Sequence, residues 1–368
     1  MILSDETGIA DDPIRLKSPN GIDKEAQAAS QEDSMKHVTM AHGSGGISTA
    51  ELVAAVFARH LTNPALDAQE DAACLPITGP CAFSTDSFVV DPIRFPGGDI
   101  GKLAVCGTVN DLLCLGATPR WLSAGFILEE GLPFDVLEDI VRSMAAAAAE
   151  AGVVIAAADT KVVGGKGGLF INTSGIGTFD GHPPIRAAGG RPGDAVIVSG
   201  HLGDHHACIL SQRMGIENGI RSDCAVLSPL VDALRQAGID LHALRDITRG
   251  GLATVLNELC AASRVHCRLE EGALPVSAEV RAFCGILGLD PLYMGNEGKL
   301  LLFVPQEQAP AAIAALRGTQ AGKDAVVVGA LMEAATVQAG KAPVTIRTRL
   351  GGERPVDALR GEGLPRIC

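Results

Sequence analysis

At 368 residues with 47% hydrophobic content, the chain is long enough for two domains, each with its own core. Aromatics make up only 3% against 44 glycines, so the cores must be built from Ala, Val, Leu and Ile around many tight backbone sites, which suits an α/β (α+β) architecture with glycine-rich ligand loops. A net charge of -13 argues against nucleic acid or an anionic membrane as the main partner, the apolar runs are too short to span a bilayer, and the start carries no signal-peptide pattern, so a cytoplasmic location is expected.

Residues 1–36 carry scattered acids and no sustained periodicity and are expected to be a disordered extension. Order begins at the loop His42-Gly43-Ser44-Gly45-Gly46, followed by a helical run over 49–60 in which Leu52, Val53, Val56 and Phe57 recur at helix spacing. Glycine backbone meeting a helix start can cradle phosphate, although an ordinary loop has the same composition. Short strands are expected at 81–85 and 87–91, then a helix over 100–115 with Asn110-Asp111 in its later turns. A clearer helix spans 134–151, with Leu137, Ile140, Val141 and Met144 on one stripe and Gly152 as its stop. An apolar strand over 153–158 ends in Asp159-Thr160-Lys161, and another covers 169–176. Dense Gly and Pro punctuation over 181–194 places a boundary between a first domain, 37–183, and a second, 194–350. The second half is expected to hold strands at 195–199, 299–304, 325–331 and 344–349, with helices near 228–237 and 251–262. Residues 351–368, loosened by Gly361 and Gly363 and held extended at Pro365, are predicted to be a mobile tail ending in Cys368.

None of the ten cysteines makes a C-x-x-C pair, so most are expected to be small buried hydrophobes, and only Cys368 lacks a core context. Asp71, Asp86, Asp111 and Asp159 each close an apolar segment or interrupt one. Taken singly they suit caps or turns, but together they predict a site where hard oxygens hold Mg²⁺ against a triphosphate. Gly43 to Gly46, Lys102 and Lys161 strengthen the nucleotide reading. Lys161 is placed to meet phosphate charge or move a proton. Glu297 precedes an apolar strand and is a candidate general base. Asp246 precedes a helix whose N-terminus faces an anion or is simply capped. His205 and His206 are adjacent and point apart on regular structure, which disfavours a metal site.

These segments, above all His42-Gly43-Ser44-Gly45-Gly46, Thr85-Asp86-Ser87, Gly107-Thr108-Val109-Asn110-Asp111, Asp159-Thr160-Lys161, Thr248-Arg249-Gly250-Gly251, Asn296-Glu297-Gly298-Lys299 and the ending Leu364-Pro365-Arg366-Ile367-Cys368, resemble the HypE family of hydrogenase maturation factors. That family lies within the PurM-like ATP-using superfamily, and the resemblance runs from about 42 to 368. It implies two α/β domains, the first binding ATP and pairing across a homodimer, with a mobile tail. It also implies ATP-dependent dehydration of an S-carbamoyl group on Cys368 to a thiocyanate, the source of the cyanide ligand of the [NiFe]-hydrogenase iron. By similarity, Asp71, Asp86, Asp111 and Asp159 are metal residues, and Gly43 to Gly46, Lys102, Asn110 and Asp246 bind the nucleotide. Lys161 and Glu297 handle protons, with Glu297 the preferred base. HypF carbamoyltransferase is the implied donor and the HypC-HypD complex the acceptor. The chain departs from the family pattern at Ala158, His206, Ile247 and Gly295, where Gly, Gly, Pro and Ala are expected. Two other readings stay open: another PurM-like enzyme, of the aminoimidazole ribonucleotide synthase or selenophosphate synthase type, and a nucleotide-binding scaffold.

Overall fold

The computed structural model describes residues 37–68, 70–334 and 343–360. The expected N-terminal extension and the last eight residues, with Cys368, lie outside them.

The first domain opens with a helical run whose middle, Val53–Phe57, is π-helical between α-helical Ile47–Leu52 and Ala58–His60. It continues through β1 (Cys81–Phe88), the short hairpin β2 (Arg94–Phe95) and β3 (Gly98–Asp99), α1 (Ile100–Cys114), β4 (Thr118–Glu129), α2 (Phe134–Ala151), β5 (Val154–Val163) and β6 (Leu169–Thr178). Asp99 starts α1 by accepting the N–H groups of Gly101 and Lys102 at 2.8 and 2.9 Å. Gly152, at φ 67°, ends α2 in the left-handed region. The sheet order is β1-β6-β4-β5, with β4 and β5 parallel and the other pairs antiparallel.

Residues 81–88 form one strand, whereas the sequence suggests two. Asp86 does not break it, because the carboxylate lies over a glycine of α1: a Cβ on Gly107 would sit 3.6 Å from Asp86 Oδ2. β5 likewise runs on past its expected end at 158, since alternation leaves Asp159 and Lys161 in solvent while the backbone keeps pairing with β4. Directly paired residues share a face, so the row Asp86, Thr173, Ala124, Ala158 faces α1, where Thr173 is fully buried. The next row, Ser87, Asn172, Gly125, Asp159, faces the other way. That outer face exposes Phe83, Ile127 and Phe170 at 67%, 45% and 37%.

The second domain contains β7 (Asp194–Val198), α3 (Asp204–Met214), α4 (Ser228–Gln236), β8 (Ala243–Asp246), α5 (Gly251–Ser263), β9 (Val265–Glu270), α6 (Ala278–Leu287), β10 (Leu300–Pro305), α7 (Ala309–Arg317), β11 (Val326–Glu333), β12 (Val344–Arg347) and β13 (Glu353–Pro355). Its seven-stranded sheet has the order β13-β12-β9-β11-β7-β10-β8. Every residue of β7 is buried: Ala195 to Val198 form an apolar run, and the carboxylate of Asp194 is met by His242 Nδ1 at 2.9 Å. The domain extends beyond the boundary expected at 350: β13 pairs with β12, and Val356 after it is fully buried. No helix among the described residues is long and apolar enough to cross a membrane.

One apolar cluster crosses the domain boundary, and polar groups fix the joint. Asn110 was expected to bind the nucleotide, but its amide is taken up by the second domain. Nδ2 donates to Ala225 O at 3.1 Å and Oδ1 accepts the Leu227 N–H at 3.0 Å, leaving the residue 2% exposed. His205 adds a second tie, with Nδ1 2.7 Å from Ser222 Oγ and its ring edge-on to Phe95. His206 meets Gly295 twice, through its N–H to Gly295 O at 3.2 Å and through Nδ1, which accepts the Gly295 N–H at 3.4 Å. Two departures from the family pattern are therefore in contact, the imidazole beside the residue that has lost its methyl.

Two outcomes follow from this packing. Asn110→Ala orphans a buried carbonyl and a buried N–H and is expected to lower stability by about 1–3 kcal/mol in urea denaturation. Burial holds the His206 imidazole down at about 4 from its ordinary 6.5, so the unfolded chain takes up a proton that the folded chain refuses. Its contribution is complete above pH 6.5 and is lost as pH falls toward 4, on the order of 3 kcal/mol over that window. Urea midpoints measured between pH 4 and 7 should show a flatter acid arm in His206→Asn.

Candidate active site

Between the domains lies an inner cleft of about 210 Å³. From the first domain it takes Thr85, Asp86 and Phe88 of β1 and Gly107 and Asp111 of α1. From the second it takes Arg245 and Asp246 at the end of β8, Thr248 and Arg249 ahead of α5, and Glu297 ahead of β10. Gly250 and Gly251, at φ 78° and 62°, make the turn that brings Thr248 and Arg249 to this opening, and a Cβ on Gly251 would strike Leu292 O at 2.5 Å.

Four carboxyl groups meet two guanidinium groups here, and burial sets their protonation. Asp111 Oδ2 accepts the Ser84 hydroxyl at 2.7 Å, yet burial and then the charge of Asp86 raise its pKa. Asp246 is pushed up to about 7, first by burial and then by Asp111. Glu297 is 4% exposed and lies well above the ordinary carboxylate range, first through burial and then through Cys224, Asp246 and Asp223. Its backbone is held on both sides: its N–H donates to Asp223 Oδ1 at 3.1 Å and its carbonyl accepts the Ala225 N–H at 3.2 Å. Asp223 in turn pairs with Lys299 at 3.1 Å. Asn296 locks the same segment by donating to Ile247 O at 3.1 Å and accepting the Gly203 N–H at 2.7 Å. A glutamate built this way is a strong proton acceptor on a fixed backbone.

The four aspartates expected to converge are found as two pairs. Asp86 and Asp111 line the inner cleft, while Asp71 and Asp159 line a second cleft of about 430 Å³ at the β5 edge, with Thr49, Val53, Phe57 and Leu66. The parity of the strands explains the split, since Asp86 and Asp159 stand on opposite faces of the sheet. Among the described residues no three His, Cys, Asp or Glu side chains are grouped closely enough to hold a metal. Two carboxylates are nevertheless what Mg²⁺ ordinarily takes from a protein when phosphate and water complete its shell. The mutual repulsion that raises Asp111 is what a dication would relieve, so Asp86 and Asp111 fit the ion.

The glycine loop lines neither cleft and touches the second one only through Thr49. Gly45 and Gly46, at φ 81° and 76°, have nothing within 4 Å of a Cβ position, and the Gly45 N–H donates to the cleft residue Thr49 at 3.0 Å. Gly43 instead packs against β5, where a Cβ would lie 2.7 Å from Val162. Ser44 caps locally onto Ala41 O at 2.9 Å. Lys161 stands on the outer sheet face with its Nζ 2.7 Å from both Asp159 oxygens, and this contact holds the Asp159 carboxyl below its usual range. Within one chain Lys161 is therefore not beside Glu297. Lys102 binds Gly97 O at 3.3 Å and lines neither cleft. Arg245, Thr248 and Arg249 were given no role from the sequence, although Thr248-Arg249 preceding two glycines was the available signal.

Residues 69–179 match the family AIR synthase related protein, N-terminal domain, and residues 191–339 match AIR synthase related protein, C-terminal domain. The chain is 48% identical over 340 residues to the carbamoyl dehydratase HypE of Rhodobacter capsulatus, covering 90% of this chain and 98% of that one. It is 45% identical over 344 residues to the Escherichia coli K12 protein of the same name, covering 91% and 100%. A crystal structure of the hydrogenase maturation protein HypE in complex with ATP superposes with a TM-score of 0.85 at 50% identity, over 89% of this chain and 99% of that one. With the two matched domains on either side of the cleft, and near-complete coverage of these relatives, this chain belongs to the HypE carbamoyl dehydratase family.

Proposed function

We propose that this protein uses ATP to remove water from an S-carbamoyl group carried on its own Cys368, leaving a thiocyanate that supplies the cyanide ligand of the [NiFe]-hydrogenase iron. The observation that carries the reading is Glu297, a buried carboxyl of raised pKa on the wall of the inner cleft, in a chain 48% identical to a named carbamoyl dehydratase. The relative solved with ATP supports the nucleotide.

The carbamoyl oxygen is a poor leaving group. Its attack on the γ-phosphorus forms an O–P bond and expels ADP, and departure of phosphate from the resulting imidate breaks C–O. One nitrogen proton is lost as the imidate phosphate forms and the second as phosphate departs, which leaves C≡N. Glu297 takes an N–H proton, and its surroundings favour the neutral acid so formed. Arg245 and Arg249 face the cleft as fixed positive charge for the phosphoryl oxygens, and the N–H groups opening α5 lie beside them. Asp86 and Asp111 would hold Mg²⁺, which when bound supplies positive charge to the transferring phosphoryl group.

The glycine loop, Asp71, Asp159 and Lys161 are assigned to the nucleotide across a subunit contact, since within one chain the sheet separates them from the phosphoryl site at Arg245 and Arg249. A homodimer pairing the outer sheet faces would cover the exposed Phe83, Ile127 and Phe170 and enclose that edge. The relative crystallised as a HypE-HypF complex, at TM-score 0.71 and 43% identity, supports a HypF carbamoyltransferase as donor; the HypC-HypD complex is the proposed acceptor. Absence of a membrane-length helix among the described residues is compatible with work in the cytoplasm.

Glu297→Gln keeps the shape of the side chain and removes the carboxylate that accepts the proton. It should leave MgATP binding intact while slowing water loss from the carbamoylated protein on the order of 10²-fold or more, read by intact mass. Undiminished water loss in that variant overturns Glu297 as the base. Cys368→Ala should give no carbamoyl adduct and unchanged MgATP binding; an adduct on that variant removes the tail as carrier. Phe83→Asp should shift sedimentation toward monomer if the outer faces pair.

A further inference from the structure

Of the segment Asn296-Glu297-Gly298-Lys299, only the glutamate has a task in the proposed chemistry, yet the residues after it are built around one acid of the opposite loop. Asp223 Oδ1 accepts the Glu297 N–H at 3.1 Å, and its Oδ2 lies 3.1 Å from Lys299 Nζ. Its backbone carbonyl presses on Gly298 so closely that a Cβ there would sit 1.9 Å from the oxygen, so glycine at 298 is what lets the two backbones touch. Lys299 turns back on the same segment, donating to Gly298 O at 3.2 Å. Gly200 leaves room for the lysine stem, since a Cβ there would lie 3.0 Å from Lys299 Cε.

The ion pair is enclosed, with the Asp223 and Lys299 side chains 3% and 11% exposed, so either charge left alone would be buried without compensation. Asp223 Oδ2 has no directed hydrogen bond, and the ammonium holds it by charge. The other acid near that ammonium is Asp204, whose carboxyl is pushed up to about 6, first by burial and then by Asp223. With Oδ2 held on Lys299, Oδ1 is left aimed at the Glu297 N–H. An ionised acceptor makes the stronger hydrogen bond, so the lysine that keeps Asp223 charged also tightens its hold on the backbone of Glu297. Neither Asp223 nor Lys299 lines the inner cleft, whereas Glu297 does.

We propose that Asp223 and Lys299 are positioning residues for Glu297: the ammonium fixes the Asp223 carboxylate, and the carboxylate fixes the backbone from which the base reaches the substrate nitrogen. This rests on the proposed role of Glu297 as base. Neither side chain touches the reacting atoms, so their effect on the rate passes through Glu297. Misplacing a reacting group by about 1 Å is enough to cost on the order of 10²-fold.

Changing one partner alone would bury an unpaired charge, so the test changes both. Lys299→Met with Asp223→Asn removes the charges and keeps a carbonyl oxygen for the Glu297 N–H. Lys299→Met with Asp223→Leu removes that oxygen as well at similar volume, and Asp223→Ala replaces Asp223→Leu where the larger side chain does not fold. Water loss from the carbamoylated protein at saturating MgATP is followed by intact mass, beside the KM for MgATP and the urea midpoint. The Leu pair should slow water loss about tenfold or more with the KM unchanged, and the Asn pair should recover most of that loss. Each pair is then placed on Glu297→Gln. There the base is already gone, and the Leu pair should slow the residual rate by less than about twofold, because residues that act as a unit are not additive. A role in packing alone lowers the urea midpoint and predicts either equal rates in the Leu and Asn pairs or a loss that multiplies on Glu297→Gln. Either result overturns the proposal. Failure of the functional reading is distinct: Glu297→Gln by itself then loses water as fast as the unaltered chain.

Discussion

The inner cleft has two walls because one amide is shared between two domains. Asn110 spends its donor on Ala225 and its acceptor on Leu227, from a helix whose next residue, Asp111, faces the opening. The loop it grips also carries Cys224, close enough to influence Glu297, and the Ala225 N–H that holds the Glu297 carbonyl. With the Arg235 bond to Gly116 O at 2.7 Å and the Ser222 N–H bond to Pro96 O at 2.8 Å, this side chain fixes the distance between the aspartates of the first domain and the glutamate of the second. A buried amide suits this task better than an apolar contact, since a pair of directed hydrogen bonds fixes register whereas packing alone tolerates sliding.

That spacing creates the chemistry. Four carboxyl groups drawn into a cleft between buried walls cannot all ionise at the cost they would have in water, so the most enclosed, Asp246 and Glu297, bind a proton more tightly than ordinary carboxylates do. In the proposed dehydration, a proton moved from substrate nitrogen to the Glu297 carboxylate would relieve part of this repulsion. The acids that disfavour one another in the resting protein are therefore the reason the base holds what it takes. The nearby guanidinium groups oppose the effect only in part, and their planar donors suit phosphoryl oxygens.

Much of this was legible in the residues wherever the cause is local. Helix α2 announces itself through its stripe and Gly152, and α1 through its apolar run, each within a residue or so of its observed end. Glu297 was recognisable as a carboxylate ahead of an apolar strand. Its burial was not, because the covering atoms come from Cys224, Asp223 and Asp246, at least 50 positions away. Asn110 read as a nucleotide ligand for the same reason: its sequence neighbours are ligand-like, and only the fold reveals that the second domain has already used its amide. His206 and Gly295 appeared as two unrelated departures. Their meeting 89 residues apart is a fact of packing, in which an imidazole occupies space beside a residue without a side chain.

The division of the four aspartates follows from strand parity, which no motif records. Reading 81–91 as two strands leaves the facing of Asp86 undefined, and ending β5 at 158 leaves Asp159 on a loop free to turn inward. Once both strands are continuous, pairing through β6 and β4 fixes Asp86 toward α1 and Asp159 away from it, and no side-chain rotation reverses that. The sheet therefore separates an acid pair beside Glu297 from an acid pair beside the glycine loop and Lys161. A sheet with one face packed on helices and the other carrying both exposed Phe side chains and a Lys–Asp pair is incomplete by the ordinary standard of antiparallel sheets, whose solvent face is polar. In the homodimer proposed above, a second copy over that face would bury the apolar residues and give the outer Lys–Asp pair a wall, while Asp86 and Asp111 stay on the inner face.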